Sequence, residues 1–235
     1  MDFRSRLPVN AETMTDLPNS SFICRLIQGN SLEAIGMQRF VFYPGMRFGS
    51  SDKWWGKPGY RHAPHEGIDI CFFQTASGRF CRMDASTRIP TAADSRIVHV
   101  MEDFLGHTVV ASQMIPKEGG RELLTLYAHI KPDARLRVGD RLREGELFAG
   151  IADVEYPNIP LLPHLHISVA WADQLPDYRQ WTWKLLNQCG SECFIDPLKW
   201  MAFPQKTISF EFGTDLANEF IPCSRLLAQV FGQGH

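Results

Sequence analysis

Five residues of this sequence carry the side chains that most often bind a metal ion or move protons in a protein site. His65 and Asp69 are four residues apart, and His164 and His166 are separated by a single residue. On a β-strand, residues two apart project to the same face, about 6.5 Å apart along the backbone. The second pair would therefore present two imidazoles on one side of a sheet. His129 ends a third, strand-like run over 124–129.

Gly67 lies between His65 and Asp69. A glycine within a strand pattern allows another backbone to approach closely. We expect His65 in the turn before a strand and Asp69 within the strand, so that both side chains can reach one point.

This set of donors predicts a catalytic metal ion rather than a structural one. It supplies two or three ring nitrogens and one carboxylate oxygen, and three protein ligands leave a tetrahedral Zn²⁺ one position for water. The same ligands also suit iron and other divalent cations. Zinc is the favoured prediction because of its availability and geometry.

Each of these patterns is common by chance when it occurs alone. A histidine four residues before an aspartate is usually a surface pair, and His129 by itself fits a satisfied residue at the end of a strand. The pair His164 and His166 is more informative, because two buried imidazoles need partners. The hypothesis depends on finding all three patterns in one chain, each beside an apolar strand pattern.

Short β-prone runs, separated by turn residues, are the elements that would position these side chains. Their spacing predicts a mainly β fold, with antiparallel strands in a sandwich or barrel-like domain and short helical extensions at both ends. The segment 138–150 predicts two tight turns around a strand, and 224–231 before Gly232 predicts a terminal helix. The predicted strands are 39–43, 67–73, 96–101, 107–114, 123–130, 147–151 and 164–171.

The change in sequence character along the chain predicts three parts. Residues 1–38 are mixed and polar, and we interpret them as an N-terminal extension packed on the main domain. Residues 39–203 form the main domain, and residues 204–235 form a C-terminal appendage of a strand and a helix.

The composition is that of a folded chain with balanced charge. Among 235 residues, 24 are Lys or Arg and 26 are Asp or Glu, so the net charge is −2, and 44% are hydrophobic. The balanced charge argues against whole-chain binding to nucleic acid. The hydrophobic fraction argues against a disordered polypeptide. No stretch approaches the ~20 apolar residues of a membrane span, and residues 1–21 lack the apolar segment of a secretory signal.

For the six cysteines we expect thiols rather than disulfides, because a chain of this length does not need disulfides to hold its fold together.

Several segments resemble the lysostaphin-like, LytM-type zinc endopeptidases, the β-lytic metallopeptidase family. Their order and separations match those of the family over roughly residues 40–200. The matching strings are HEGIDI at 65–70, IPTAADSRIVHV at 89–100, LYAHI at 126–130, VGDRLREGELFAG at 138–150 and PHLHISV at 163–169.

The resemblance implies a LytM-type domain and a role for each of the five residues. His65, Asp69 and His166 look like the ligands of one Zn²⁺ ion. His129 and His164 look like the two unligated histidines that bind and activate the water and stabilise the oxyanion. The implied activity is hydrolysis of peptide bonds in the stem peptides or cross-bridges of peptidoglycan, which implies a location in the cell envelope or outside the cell. No HExxH pattern supplies a glutamate base, so His129 and His164 would have to move the protons.

The sequence departs from the family pattern at the rims of the expected groove. The stretch 152–162 replaces a Gly-Thr-Gly-like loop, and residues 171–192 form an insertion. Ser95 and His107 stand where glycine and asparagine are common. These departures affect the expected substrate more than the expected metal.

Two alternatives belong to other functional classes. One is a catalytically inactive protein of the same fold that binds cell-wall material or regulates an amidase. The other is a carrier or phosphotransfer domain, because the bent segment 138–150 resembles such domains and some of them use paired histidines. No lysine occupies the turn for lipoylation, and the segment HEGID has no explanation in a carrier domain.

Overall fold

The computed structural model describes residues 20–57, 59–115, 121–153, 161–172, 181–183, 193–201, 205–207 and 220–232. Within these ranges the chain is mainly β, which confirms the predicted fold class. The strands are β1 (Met37–Phe42), β2 (Ile68–Ile70), β3 (Phe72–Thr75), β4 (Phe80–Arg82), β5 (Arg88–Pro90), β6 (Ser95–Asp103), β7 (Gly106–Gln113), β8 (Glu122–Pro132), β9 (Arg141–Leu142), β10 (Leu147–Ile151), β11 (Leu165–Ala172), β12 (Phe194–Ile195), β13 (Gln205–Thr207) and β14 (Ile221–Pro222). The α-helices are α1 (Phe22–Gly29), α2 (Pro197–Trp200) and α3 (Cys223–Phe231), and 3-10 turns cover Leu32–Ile35 and Pro44–Met46.

The strands form two sheets. The larger sheet has the order β12-β11-β8-β7-β6-β9, with β2 added beside β11 and β10 joining β8 to β5, and all of these pairs are antiparallel. The smaller sheet has the order β13-β1-β3-β4-β14, in which the outer pairs β1–β13 and β4–β14 are parallel.

The run 67–73, predicted as one strand, is two strands that belong to different sheets. β2 pairs with β11 in the larger sheet, and β3 pairs with β1 and β4 in the smaller one. Cys71 is the single residue between them, and its thiol donates to the Pro163 carbonyl oxygen at 3.5 Å. Residues 70–73 are all buried and apolar, so no turn residue in the sequence marks the crossing.

The larger sheet is covered on both faces. Along β11, Ile167 and Val169 point into the main core, which also contains residues of the smaller sheet, whereas Ala170 points into a second cluster on the opposite face. This alternation follows from the two-residue period of a strand. The second cluster consists of Val98, Val110, Leu124, Leu126, Ala170, Ala172, Trp181 and Phe194.

The segment 138–150 turns twice around a short strand, as predicted. Gly139 and Gly145 have φ values of +100° and +79°, which L-residues with a Cβ rarely adopt. The strand between these two turns is β9.

Helices lie near both ends of the described chain. The apolar face of α1 belongs to the main core through Phe22 and Leu26, and α3 contributes Cys223 and Leu226. The predicted boundaries of the three parts stay predictions.

In the part of the chain that the structure describes, Cys24, Cys71, Cys81 and Cys223 are thiols. Burial raises the pKa of Cys71 well above its ordinary value and raises that of Cys81 to about 11, so neither is a reactive thiolate at neutral pH. No helix within the described residues is long and apolar enough to cross a membrane.

Candidate metal centre

The structure brings the five predicted residues together on the second face of the larger sheet. His65, Asp69 and His166 are buried, and each places one ligand-type atom within 4.8 Å of the others. The His164 ring lies 4.9 Å from the His129 ring, and the His129 ring lies 5.7 Å from that of His166, measured between centroids.

The pairing of β2 with β11 positions two members of this group. Asp69 and His166 are directly opposite each other in the antiparallel register, so their side chains project to the same face. The distance from Asp69 Oδ1 to His166 Nδ1 is 2.9 Å.

His65 lies in the turn before β2, as predicted, and the backbone of residues 47–50 holds it in place. Its N–H donates to the Ser50 carbonyl oxygen at 2.9 Å, and its own carbonyl oxygen accepts from the Gly49 N–H at 2.8 Å. The ring nitrogen Nδ1 lies 3.2 Å from the Arg47 carbonyl oxygen. Because a carbonyl oxygen only accepts, this nitrogen carries the proton and Nε2 keeps its lone pair for the site.

Gly67 is required by the close approach of β11. A Cβ at this position would lie 2.4 Å from the Ile167 carbonyl oxygen, 2.5 Å from Ser168 Oγ and 3.0 Å from His166 Nε2. Any larger residue would therefore separate β2 from β11 or displace the His166 ring.

The second oxygen of Asp69 is held from outside the site. Asp69 Oδ2 accepts from the Trp54 indole N–H at 2.7 Å and from the Arg61 guanidinium at 3.2 Å. Burial raises the pKa of this carboxyl, but the neighbouring His65 and His166 hold the pKa well below its ordinary value. Asp69 is therefore a carboxylate, with Oδ1 facing the histidines and Oδ2 occupied.

Arg61 is itself fixed by three further contacts. Its guanidinium donates to the carbonyl oxygens of Gly45, at 2.9 Å, and Asp52, at 3.2 Å, and stacks over the Trp55 ring at 4.5 Å. Through these contacts and its contact with Asp69, Arg61 links Gly45, Asp52 and Trp55 to β2.

The far nitrogen of the His166 ring also has partners. Nε2 lies 2.8 Å from Ser168 Oγ and 3.4 Å from Glu66 Oε1. Burial lowers the pKa of His166, but the carboxylates of Asp69 and Glu66 outweigh it and raise the pKa to about 9. Burial raises the pKa of Glu66, and the hydrogen bond and charge of His166 lower it to about 2. This site attracts positive charge, as a proton or as a cation.

His164 lies one residue before β11, although the sequence predicted it inside the strand. Its Nδ1 lies 2.8 Å from the Leu162 carbonyl oxygen, a contact within the irregular segment 161–164, so Nδ1 carries the proton. Nε2 lies 3.7 Å from Asp69 Oδ1. Burial lowers the pKa of His164 to about 3, so its ring is neutral at pH 7 and Nε2 carries a lone pair.

His129 is placed by a β-bulge rather than by the end of a strand. The pairing of β7 with β8 shifts its register between the pairs His107–Ile130 and Val109–Tyr127, so that Ala128 and His129 oppose a single residue. His129 has a φ of +61°, unusual for a residue other than glycine. Tyr127 and Ile130 both enter the main core, which strict alternation would forbid. The extra residue therefore turns His129 to the face that carries the site.

The three candidate ligand atoms form a triangle that fits zinc. Its sides are 3.0 Å between His65 Nε2 and His166 Nδ1, 2.9 Å between His166 Nδ1 and Asp69 Oδ1, and 3.3 Å between His65 Nε2 and Asp69 Oδ1. Ligand atoms that lie about 2.0–2.1 Å from zinc at tetrahedral angles are about 3.3 Å apart. The described residues fit a three-ligand zinc site with one position for water.

Sequence reasoning missed the residues that support this centre. Each one acts through a hydrogen bond to a ligand or to a neighbouring histidine. The sequence offers one indication of them. Two adjacent tryptophans at 54–55 and an arginine at 61 stand in a segment otherwise rich in polar residues and glycine. The missed residues are Trp54, Arg61, Glu66, Asp103 and Ser168.

No protein-family model and no curated protein matches the chain. The solved structures that match it include a solution structure of lysostaphin, 14% identical with a TM-score of 0.41 over 73% of this chain and 62% of that chain. The antimicrobial peptidase lysostaphin from Staphylococcus simulans is 14% identical with a TM-score of 0.40, over 75% of this chain and 60% of that one. A third match is a mutant of the catalytic domain of the prophage-encoded M23 protein EnpA from Enterococcus faecalis. It is 18% identical with a TM-score of 0.34, over 57% of this chain and 81% of that chain. The chain spans less than two thirds of the length of both lysostaphin chains.

Proposed function

We propose that this protein is a zinc-dependent endopeptidase in which His65, Asp69 and His166 bind one Zn²⁺ ion. The observation that carries the proposal is the buried triangle of two ring nitrogens and one carboxylate oxygen, with sides of 2.9–3.3 Å. Lone pairs that converge this closely repel one another unless a cation or a proton lies between them. His65 Nδ1 and Asp69 Oδ2 have hydrogen-bond partners outside the site, so His65 Nε2 and Asp69 Oδ1 face its centre.

When bound, zinc lowers the pKa of a water molecule and polarises the carbonyl of the scissile peptide bond. His129 and His164 then move the protons. One imidazole takes a proton from the attacking water and returns it to the leaving amine, and the other stabilises the oxyanion. The distance of 4.9 Å between the centroids of these two rings supports their action on the same substrate group.

The proposed substrate is peptidoglycan, cut in its stem peptides or cross-bridges. The strings HEGIDI, LYAHI and PHLHISV, which resemble those of cell-wall endopeptidases, support this substrate class. The proposed location is therefore the cell envelope or the outside of the cell.

The test combines metal analysis with a cleavage assay on the same preparation. Protein loaded with zinc and freed of excess metal should contain about one zinc per chain, and Asp69→Ala should contain none. Digestion of purified peptidoglycan should release new amino termini with the wild type and none with the variant, and the fragment masses identify the bond.

Two outcomes would replace the proposal. If the protein carries no zinc but still binds peptidoglycan, it is the catalytically inactive, cell-wall-binding alternative. Labelling of a histidine by a phosphocarrier donor, without any cleavage, identifies the phosphotransfer domain.

The matched control for the metal measurement is Asp52→Asn. Asp52 lies in the same loop as Trp54 and has an exposed side chain.

A further inference from the structure

Asp103 is a buried carboxylate at the end of β6 and is not among the proposed metal ligands. Its side chain is 1% exposed. Oδ1 accepts from the Leu105 N–H at 2.8 Å, and Oδ2 accepts from the Thr108 hydroxyl at 2.8 Å. Two groups of the β6–β7 hairpin, the Leu105 amide and the Thr108 hydroxyl, therefore fix the orientation of this side chain.

The same carboxylate makes two contacts with the bulged residue of β8. Asp103 Oδ2 accepts from the His129 backbone N–H at 3.0 Å, and Oδ1 lies 3.2 Å from His129 Nδ1. A β-bulge leaves backbone groups of the extra residue outside the ladder. Asp103 supplies the acceptor that the backbone N–H of His129 needs, and it holds the ring at the same time.

The charge state of Asp103 determines which nitrogen of His129 carries the proton. Burial raises the pKa of Asp103, but its hydrogen bonds with the ring and the backbone N–H of His129 hold it below its ordinary value, so the group is a carboxylate at neutral pH. A carboxylate only accepts, so His129 Nδ1 carries the proton and Nε2 has the lone pair. Free histidine has no such partner to choose between its two nitrogens.

We propose that Asp103 is a positioning residue for the reaction: it fixes His129 as the Nδ1–H tautomer on the bulge, so that Nε2 faces the water-binding position. This inference rests on the proposed function and deepens it. The proton of the attacking water passes to the Nε2 lone pair, while the Nδ1–H bond to Asp103 stays in place. His164 receives the same orientation from a neutral group, the Leu162 carbonyl oxygen, so the two unligated histidines differ in the charge of their partners.

The contacts of Phe104 fit this role. Its ring lies 4.9 Å from that of His129, edge to face, and the residue is 57% exposed. Phe104 covers one side of the His129 ring while Asp103 holds its Nδ1 edge. The hairpin Asp103–Gly106 thus limits the rotation of the ring from two directions.

The decisive measurement is the tautomer of His129 in the zinc-loaded protein, read from ¹⁵N chemical shifts and assigned with His129→Ala. The wild type should show the Nδ1–H form. Asp103→Asn should shift the ring to the Nε2–H form or to a mixture, because the amide can turn its NH₂ group toward Nδ1. A wild-type ring in the Nε2–H form, or no change in Asp103→Asn, overturns the proposal.

Kinetics give the second measurement. In Asp103→Asn, kcat should fall on the order of 10²–10⁴-fold, as when a histidine is held in the wrong tautomer, with KM changed less than about threefold and one zinc retained. A kcat within threefold of the wild type contradicts the proposal. If the wild type cleaves nothing, the proposed function fails, and the tautomer measurement still decides the role of Asp103.

Two matched variants separate positioning from loss of structure. Thr108→Val removes another hydrogen bond of the same carboxylate, together with the hydrogen bond that the Thr108 hydroxyl accepts from the Trp183 indole. It should lower the melting temperature and leave the Nδ1–H tautomer in place. Asp133→Asn removes a carboxylate that pairs with Arg88 on the surface, and it should change neither kcat nor the tautomer.

Discussion

At the scale of single residues, the geometry of the candidate centre depends on a defined acceptor or donor on the outer side of each histidine. His65 and His164 donate to carbonyl oxygens from Nδ1 and direct Nε2 inward. His166 does the reverse, with Nε2 toward Ser168 and Glu66 and Nδ1 toward the site. Outer partners of this kind orient metal ligands and raise their basicity.

Replacement of His129 or His164 by alanine tests the assignment of roles. Each variant should keep about one zinc per chain, because neither ring is in the proposed ligand set, while kcat/KM falls about 10²–10⁴-fold. Metal content and peptide cleavage are measured on the same sample. Loss of the metal from both variants would reverse the assignment of ligands and proton carriers.

At the scale of secondary-structure elements, two local features of the larger sheet form the site. The β2–β11 pairing places Asp69 opposite His166, and the bulge in β8 brings His129 to the same face. Neither feature involves a helix, so the geometry depends on strand register. A shift by one residue in either pairing would turn a ligand or His129 into the core.

Substitution of Gly67 by alanine tests the β2–β11 contact. The new Cβ would meet the backbone oxygen of Ile167 at 2.4 Å. We expect a loss of more than about 2 kcal/mol of unfolding free energy and weaker zinc binding. Urea unfolding and a zinc titration measure the two effects. Gly59→Ala is the matched control, because its Cβ would find its nearest neighbours at 3.9 Å; equal effects in both variants would exclude the contact as the cause.

A second carboxylate joins distant elements and makes stability depend on pH. Asp84, after β4, accepts from the N–H of Ser224 at 3.1 Å and from its hydroxyl at 2.7 Å, in the first turn of α3. Burial raises the pKa of Asp84, but hydrogen bonds from Ser86 and Ser224 lower it overall. The stabilisation is therefore complete above the unfolded-state pKa of about 3.9 and is lost as pH falls through the lower folded-state pKa.

Asp84→Asn should be less stable than the wild type by roughly 1 kcal/mol between pH 5 and 7, through weaker hydrogen bonds to α3. Because the wild type loses this stabilisation in acid, the difference should shrink below about pH 4. Urea unfolding at pH 3, 5 and 7 measures it. A difference that stays constant over this range would show that the charge of Asp84 is not involved.

At the scale of the whole molecule, the site lies on a sheet whose two faces are both packed. The main core joins both sheets and the two longer helices, while the second cluster lies on the face that carries the histidines. Trp183 contacts that cluster, and its ring lies 5.6 Å from that of His166. Because the backbone around the site is embedded in packed structure, the candidate ligand atoms are held close together.

Zinc should therefore stabilise the whole molecule. An ion that binds only the folded state at 100 times its Kd adds about 2.7 kcal/mol, which corresponds to roughly 5–10 °C in Tm for a chain of this size. Calorimetry with zinc and with a chelator measures the shift. Asp69→Asn should show little of it, and an equal shift in that variant would place the bound zinc elsewhere.

Part of this centre could be predicted from the sequence, because the relevant patterns are local. The spacing of His65 to Asp69 and of His164 to His166 predicted residues that the structure does bring together, and the alternation of short runs predicted a mainly β fold. Strand periodicity acts over two residues, so it can be recognised in a single segment.

The tertiary structure decided what these patterns leave open. Residues 123–130 are largely apolar on both faces of the sheet, so nothing in them marks the bulge at Ala128 and His129. The orientation of each ring depends on a partner outside its own strand, as with Asp103, 26 residues from His129. The sequence alone determined which groups could meet; their meeting, and the nitrogen that each ring presents, depended on strand register and on hydrogen bonds between distant segments.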